Sequence, residues 1–214
     1  TIANAASSTG TLNIGAATGQ SAVAAGTLSA PTVTFGSGTG TLIFNHTGTD
    51  YDFDADISGA GTIRAEAGTT NLTGDNSGVT GDIYIGGTAG ATVNVAGGAD
   101  TGNAITYIGR NSGETGALVV SGAGSTWTNS GNFYAGHSGS GTLTISNGGQ
   151  VTSAESRIAN SSGSDGAVTV TGAGSTWTNT GLFHVGDTGD GTLTISNGGT
   201  INSAETLTSR STGG

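Results

Sequence analysis

The stretch GAGSTWTN occupies residues 122–129 and recurs unchanged at 172–179, and these two copies hold the chain's only tryptophans. Working outward from them, four blocks line up: GALVVSGAGSTWTNSGNFYAGHSGS (116–140), GTLTISNGGQVTSAESRIANSSGSD (141–165), GAVTVTGAGSTWTNTGLFHVGDTGD (166–190) and GTLTISNGGTINSAETLTSRSTGG (191–214). The first and third are near copies, as are the second and fourth. The interval of fifty is therefore a pair of units, and the structural period is about 25 residues.

Read down the columns, the third and fifth positions are Leu118/Val120, Leu143/Ile145, Val168/Val170 and Leu193/Ile195. They are apolar in every block and two apart, as one buried face of a strand requires. Glycine recurs at the ninth position (Gly124, Gly149, Gly174, Gly199), where a turn is expected, and the eighteenth carries Phe133, Ile158, Phe183 and Thr208. Each block offers three strands and three corners. Such coils stack with a rise of about 4.8 Å, so the fold expected is all-β: a right-handed parallel β-helix with rungs of about 25 residues. The eleventh position reads Thr126, Val151, Thr176, Ile201, a uniformly β-branched column that suits the inside. That places Trp127 and Trp177, one residue on, on the outside; the alternative puts them in the core and exposes Thr126 and Thr128.

The N-terminal half has the same grammar with less regularity. GTLNIG (10–15), PTVTFGSGTGTLIFNH (31–46), GTIRAEAG (61–68), GDIYIGG (81–87) and ATVNVAGG (91–98) alternate apolar with small or polar residues between glycine turns, and Val93 and Val95 fall in the core columns. A single solenoid over 1–214 is expected, irregular over 1–90 and regular over 91–214, with eight or nine rungs.

Composition agrees. Glycine supplies 43 of 214 residues, about three times the usual share, yet without a collagen period. Charged residues make up only 8% and there is one proline, so the usual marks of disorder are missing. The net charge of −10, with Arg64, Arg110, Arg157 and Arg210 far apart in sequence, argues against nucleic acid as a partner. Cysteine is absent, which excludes disulfides and zinc–thiolate sites. There is no apolar run of membrane-spanning length, and no signal-peptide pattern at Thr1, which suggests a fragment of a larger precursor.

The run GTLNIGAATGQSAVAAGTLSAPTVTFGSGTGTLIFNHTGTDYDFDADISGAGTI (10–63), followed by GTTNLTGDNSGVTGDIYIGG (68–87), resembles the strand repeats of AIDA-type autotransporter passengers. The GAGSTWTN and GTLTISNGG repeats are similar to those of adhesin-like members. The resemblance implies a bacterial cell-surface module, exported by type V secretion and held at the outer membrane by a C-terminal β-barrel that this sequence lacks. It implies adhesion or self-association, with another copy, a host surface protein or a glycan as partner. No shared catalytic set comes with it, and no cofactor is expected.

The residues that carry chemistry point the same way. In DYDFDAD, Asp50, Asp52, Asp54 and Asp56 alternate with Tyr51, Phe53 and Ala55, so the carboxylates share one face. That pattern suits a solvated strand face, with a calcium site or a paired-carboxylate glycosidase centre as the alternative. A polysaccharide-degrading β-helix and a passive stalk are the rival functions. Asp187 and Asp190 lack the nonapeptide calcium repeat, and Ser138 lacks a nucleophile-elbow context. His46, His137 and His184 occupy different rung positions, so no metal cluster is expected. Tyr134 and His184, the latter in a column with Ala159, are expected to face outward. With Trp127 and Trp177 they would form an aromatic patch that contacts a sugar or a partner.

Overall fold

The structure is a computed structural model that describes residues 1–208, with side chains through Glu205. Arg210 and the side chain of Thr208 lie outside the described residues. Strands pair in parallel, each with the strand one turn further along the chain, and they stack into a β-solenoid of about seven turns. That is fewer than the eight or nine expected. The first turn is longer than 25 residues, Thr9 pairing with Thr39 thirty residues on, and connections such as 16–31 carry no named strand.

The first strand column is the one that sequence spacing places correctly. Thr115–Ser121, Ser140–Ser146, Asp165–Thr171 and Asp190–Ser196 lie in register, with Leu118 under Leu143, Val168 and Leu193, and Val120 under Ile145, Val170 and Ile195. Ala91–Ala96 precedes them with Val93 and Val95 in the same columns. Below the open end these side chains are shut off from water, Leu118, Leu143 and Val168 each showing 1% of their surface. Burying a Val, Leu or Ile side chain contributes roughly 1.5–3 kcal/mol, so each turn adds a similar increment to one continuous core.

The second column differs from expectation, and the cause is a turn. After the first strand, the even blocks turn through Asn147–Gly148 and Asn197–Gly198, whose φ angles are +54°, +88°, +51° and +84°. Consecutive left-handed residues make a tight reversal that Asn-Gly adopts readily. The tryptophan blocks turn instead through Gly122 and Gly124, with φ of +99° and +84°, and take one residue more to do it. That extra residue moves the following strand by one position and turns every side chain over. Trp127 is therefore paired with Val151, and Val151 with Trp177, which pairs in turn with Ile201. Both indoles are fully buried, while Thr126 is half-buried and Thr128 exposed. The expectation that Trp127 and Trp177 face outward is thus corrected.

The third column shifts as well. Phe133 is paired with Ser156 rather than Ile158, and Ser156 with Phe183; Ile158 lies between Ala135 and Val185. Large and small residues alternate up the core, Trp–Val–Trp in one column and Phe–Ser–Phe in the next. Two indoles one rung apart would crowd a core this narrow, and alternation lets them interleave. Trp177 meets Phe133 and Phe183 edge-to-face, with centroids 5.2 and 4.9 Å away, a geometry aromatic quadrupoles favour.

The last residue of each TWTN also points inward. Asn129 and Asn179 are buried beside the indoles, and each donates its amide N–H to backbone carbonyls of the corner that follows, Asn132 O at 3.0 Å and Gly181 O at 2.6 Å. Thr106 Oγ1 donates to Asn129 Oδ1 and accepts the Trp127 indole N–H at 2.8 Å. Ser153 Oγ does the same for Asn179 and Trp177, at 3.3 and 3.0 Å. The duplicated octapeptide thus supplies a turn, an indole and an amide that together satisfy one buried corner.

Candidate functional site

On the outside of the third column the register assembles a line of side chains from six turns. Arg64 is paired with Tyr84, Tyr84 with Tyr107, Tyr107 with Tyr134, Tyr134 with Arg157, and Arg157 with His184. Each alternates with inward residues such as Ile83 and Ile85 or Phe133 and Ala135, so pleating aims all six outward. Tyr134 and His184 do face this way, although His184 is only 8% exposed. His184 neighbours Arg157 rather than Ala159, which is buried in the following turn.

Tyr84, Tyr107 and Tyr134 stack on one another, with centroid separations of 5.2 and 5.0 Å and interplanar angles of 6°. Each such contact contributes about 0.5–1.5 kcal/mol beyond burial. Because the rings cover each other's faces, they present edges and hydroxyls to solvent rather than platforms for a sugar ring. The aromatic patch expected from Trp127, Trp177, Tyr134 and His184 is replaced by this ladder.

A second line flanks the first. Three residues after each member of the column from Tyr84 onward the chain reads Gly87, Arg110, His137, Asn160 and Asp187, in the tetrads YIGG, YIGR, YAGH, RIAN and HVGD. The third residue of the last four has positive φ: Gly109 +62°, Gly136 +79°, Ala159 +56° and Gly186 +68°. That bend folds the fourth residue back onto the column. The Arg110 guanidinium lies 4.7 Å from the Tyr84 centroid and 5.3 Å from that of Tyr107. Arg64 approaches Tyr84 at 5.4 Å. His137 packs edge-on against Tyr107 and Tyr134, and its Nδ1 lies 3.2 Å from Arg110 O and 3.1 Å from Ser138 Oγ.

Charges along the strip are unevenly matched. Arg64 pairs with Glu66 at 2.7 Å, and Arg157 with Glu155 and Asp187 at 3.6 Å. Arg110 is exposed and, among the described residues, has no carboxylate within 4.0 Å. Burial, then the nearby Asp82 carboxylate, raises the Tyr84 phenol above its ordinary range, and Arg110 opposes this. Tyr107 is raised by burial first and Tyr134 next. Both phenols are therefore neutral donors across the physiological range.

The acidic strand behaves as its alternation requires. Asp50, Asp52, Asp54 and Asp56 are exposed, and Phe53 and Ala55 are buried. Asn71 Nδ2 donates to Asp50 and to Asp52, both at 2.7 Å; Thr73 Oγ1 donates to Asp54 at 2.5 Å and the Asp75 amide to Asp56 at 2.8 Å. A shallow groove separates this strand from Leu28–Pro31. Among the described residues no three His, Asp or Glu side chains converge as a metal site would require.

His46 is fully buried, against Tyr51, with Nε2 2.9 Å from Thr70 Oγ1 and Nδ1 without a partner. Burial lowers its pKa below 6.5, and the Gly48 backbone offsets this in part. The folded state therefore resists protonation more than the unfolded chain. Stability contributed by neutral His46 is complete above pH 6.5 and declines as pH falls from there to the lowered folded value. Thermal melts from pH 8 to 5 should show this decline, and His46→Gln should flatten it. An unchanged slope in the variant would assign the decline to carboxylates.

No family model, curated protein or solved structure matches this chain.

Proposed function

We propose that this solenoid is a non-catalytic adhesive module of a bacterial cell surface, the passenger segment of an autotransporter. The observation that carries the reading is the outward strip Arg64–Tyr84–Tyr107–Tyr134–Arg157–His184. A stalk requires only a stable rod, whereas this strip orders aromatic and cationic groups from six turns along one line. Contacts repeated along a rigid face add through effective concentration, so individually weak bonds become firm attachment. The resemblance of residues 10–63 and 68–87 to autotransporter passengers supports export and surface display. Against a depolymerase, each of the four aspartates in the acidic strand is engaged by a neutral donor from the next turn.

The test is adhesion of protein-coated beads to one another, to cultured host cells and to matrix proteins, together with sedimentation velocity over a wide concentration range. Adhesion or a reversible dimer is expected. An elongated monomer whose beads adhere to nothing would leave a stalk. Depolymerisation of a polysaccharide that Asp52→Ala or Asp54→Ala abolishes would replace the adhesive reading with an enzymatic one.

A further inference from the structure

We infer that the strip centred on Arg110 binds a linear polysaccharide bearing sparse carboxylates, such as a chain with a uronic acid between neutral sugars, laid along the solenoid axis. The inference deepens the adhesive reading and rests on it.

Charge is the first ground. The Arg110 guanidinium sits beside the Tyr84–Tyr107 stack, within 4.7 and 5.3 Å of the two ring centroids, on an exposed residue that has no carboxylate partner among the described residues. An exposed guanidinium of this kind presents a fork of N–H donors to which a carboxylate bonds through two parallel hydrogen bonds. Arg64 and Arg157 already have carboxylate partners, which leaves one uncommitted guanidinium on the strip among the described residues. Around it stand the Tyr107 and Tyr134 hydroxyls, Asn132, whose Nδ2 donates to Tyr134 Oη at 3.1 Å, and the His137 ring, while the Asp82 carboxylate accepts from the Tyr84 hydroxyl at 3.2 Å. One uncommitted cation among hydroxyl and amide groups matches one carboxylate among hydroxyls, and Asp82, engaged by the Tyr84 hydroxyl, penalises a ligand with carboxylates on every sugar. A densely sulfated chain would find a single uncommitted guanidinium on the strip among the described residues, on a protein of net charge −10, and the field of the whole rod would oppose it.

Geometry is the second. The groups repeat at 5.0–5.2 Å along a straight line, close to the rise per sugar of an extended pyranose chain. Successive sugars then stay in step with successive rungs, whereas an extended peptide returns a side chain to one face only every two residues, about 6.6 Å, and falls out of step. Because the tyrosine faces cover each other, recognition runs through ring edges, hydroxyls and the guanidinium.

The experiment is calorimetric titration of the whole chain with hyaluronan oligosaccharides, in which a carboxylated sugar alternates with a neutral one. Chito-oligosaccharides, heparin oligosaccharides and a glutamate-rich peptide serve as comparison ligands. Hyaluronan is expected to bind more tightly than the other three. Arg110→Gln should weaken it about tenfold or more, the loss expected for a charge-assisted hydrogen bond, with the β-sheet circular dichroism unchanged. Tyr134→Phe, which keeps the ring stack, should weaken it severalfold. Absence of hyaluronan binding, or an affinity that Arg110→Gln leaves within twofold, overturns the inference. Tighter binding of heparin or of the acidic peptide overturns it too, the latter in favour of a protein partner. Beads that adhere to cells while the protein ignores hyaluronan would sink this inference alone and leave the adhesive reading standing.

Discussion

Replacing Trp177 with alanine is expected to destabilise the solenoid by about 3–5 kcal/mol, the usual cost of deleting a large aromatic side chain from a packed core. The indole is fully buried between Val151 and Ile201 and meets Phe133 and Phe183 edge-on. Removing it leaves a cavity that the rings above and below cannot close without leaving their own columns. Its N–H to Ser153 Oγ is lost as well, although that hydroxyl keeps Ser156 and Asn179 as partners. In a stacked fold the damage is local, so amide exchange should accelerate in the turns carrying Val151, Trp177 and Ile201 before it does around Ile63 and Ile83. Trp127, the remaining indole, reports the transition by fluorescence in denaturant. An outward Trp177 would cost no more than about 0.5 kcal/mol, so a change that small would refute the inward packing.

That contrast marks where the sequence could be read and where it could not. The first column was legible because every block enters it from an equivalent corner, and a fixed interval of 25 aligns Leu118, Leu143, Val168 and Leu193. The second was obscured because SGAGSTW and SNGGQV reach their buried residues, Trp127 and Val151, in different numbers of steps. A rigid period averages the two turns and places Thr126 opposite Val151, where β-branched chemistry looks consistent and misleads. The buried asparagines Asn129 and Asn179 are missed with it, since only the alternative with inward tryptophans turns the residue two further on into the core. The next corner adds a second one-residue difference, Trp127 to Phe133 taking one step more than Val151 to Ser156, so a rigid period sets Ile158 against Phe133 and Ala159 against His184.

The outward ladder was hidden for the same reason, although its signal lies in the open. Aligning YIGG, YIGR, YAGH, RIAN and HVGD on their third residue, rather than on the 25-residue blocks, brings three tyrosines, an arginine and a histidine into one column. What no alignment supplies is Arg110 over Tyr84 and Tyr107. That contact depends on the bend at Gly109 and on the tyrosine contributed by the preceding turn.

The bend that follows the column is also a place where a single methyl group should be costly. Gly136→Ala is expected to cost about 2–5 kcal/mol, from roughly 1–2 for a side chain in the left-handed region and 1–3 for overpacking. Gly136 has φ of +79°, and a β-carbon there would lie 2.2 Å from the carbonyl oxygen of Asp165 in the next turn. Its backbone joins three turns, the amide donating to Ile108 O and the carbonyl accepting from the Asn160 amide, both at 2.9 Å. Gly113→Ala is the matched comparison. Its φ of +81° is nearly the same, but nothing lies within 4 Å of the added carbon. Only the backbone strain remains there, partly offset by a stiffer unfolded chain, for a net cost of about 1 kcal/mol or less. Denaturant melts of the two variants therefore separate steric from conformational cost. Ala159 makes the outcome informative in either direction, because it occupies the equivalent bend one turn on with φ of +56°. Equal costs for the two variants would mean that the Asp165 strand gives way as the chain has done around Ala159. A larger cost at Gly136 would mean that the turn presenting His137 to the ladder is held rigid, as a strip that binds along its length requires.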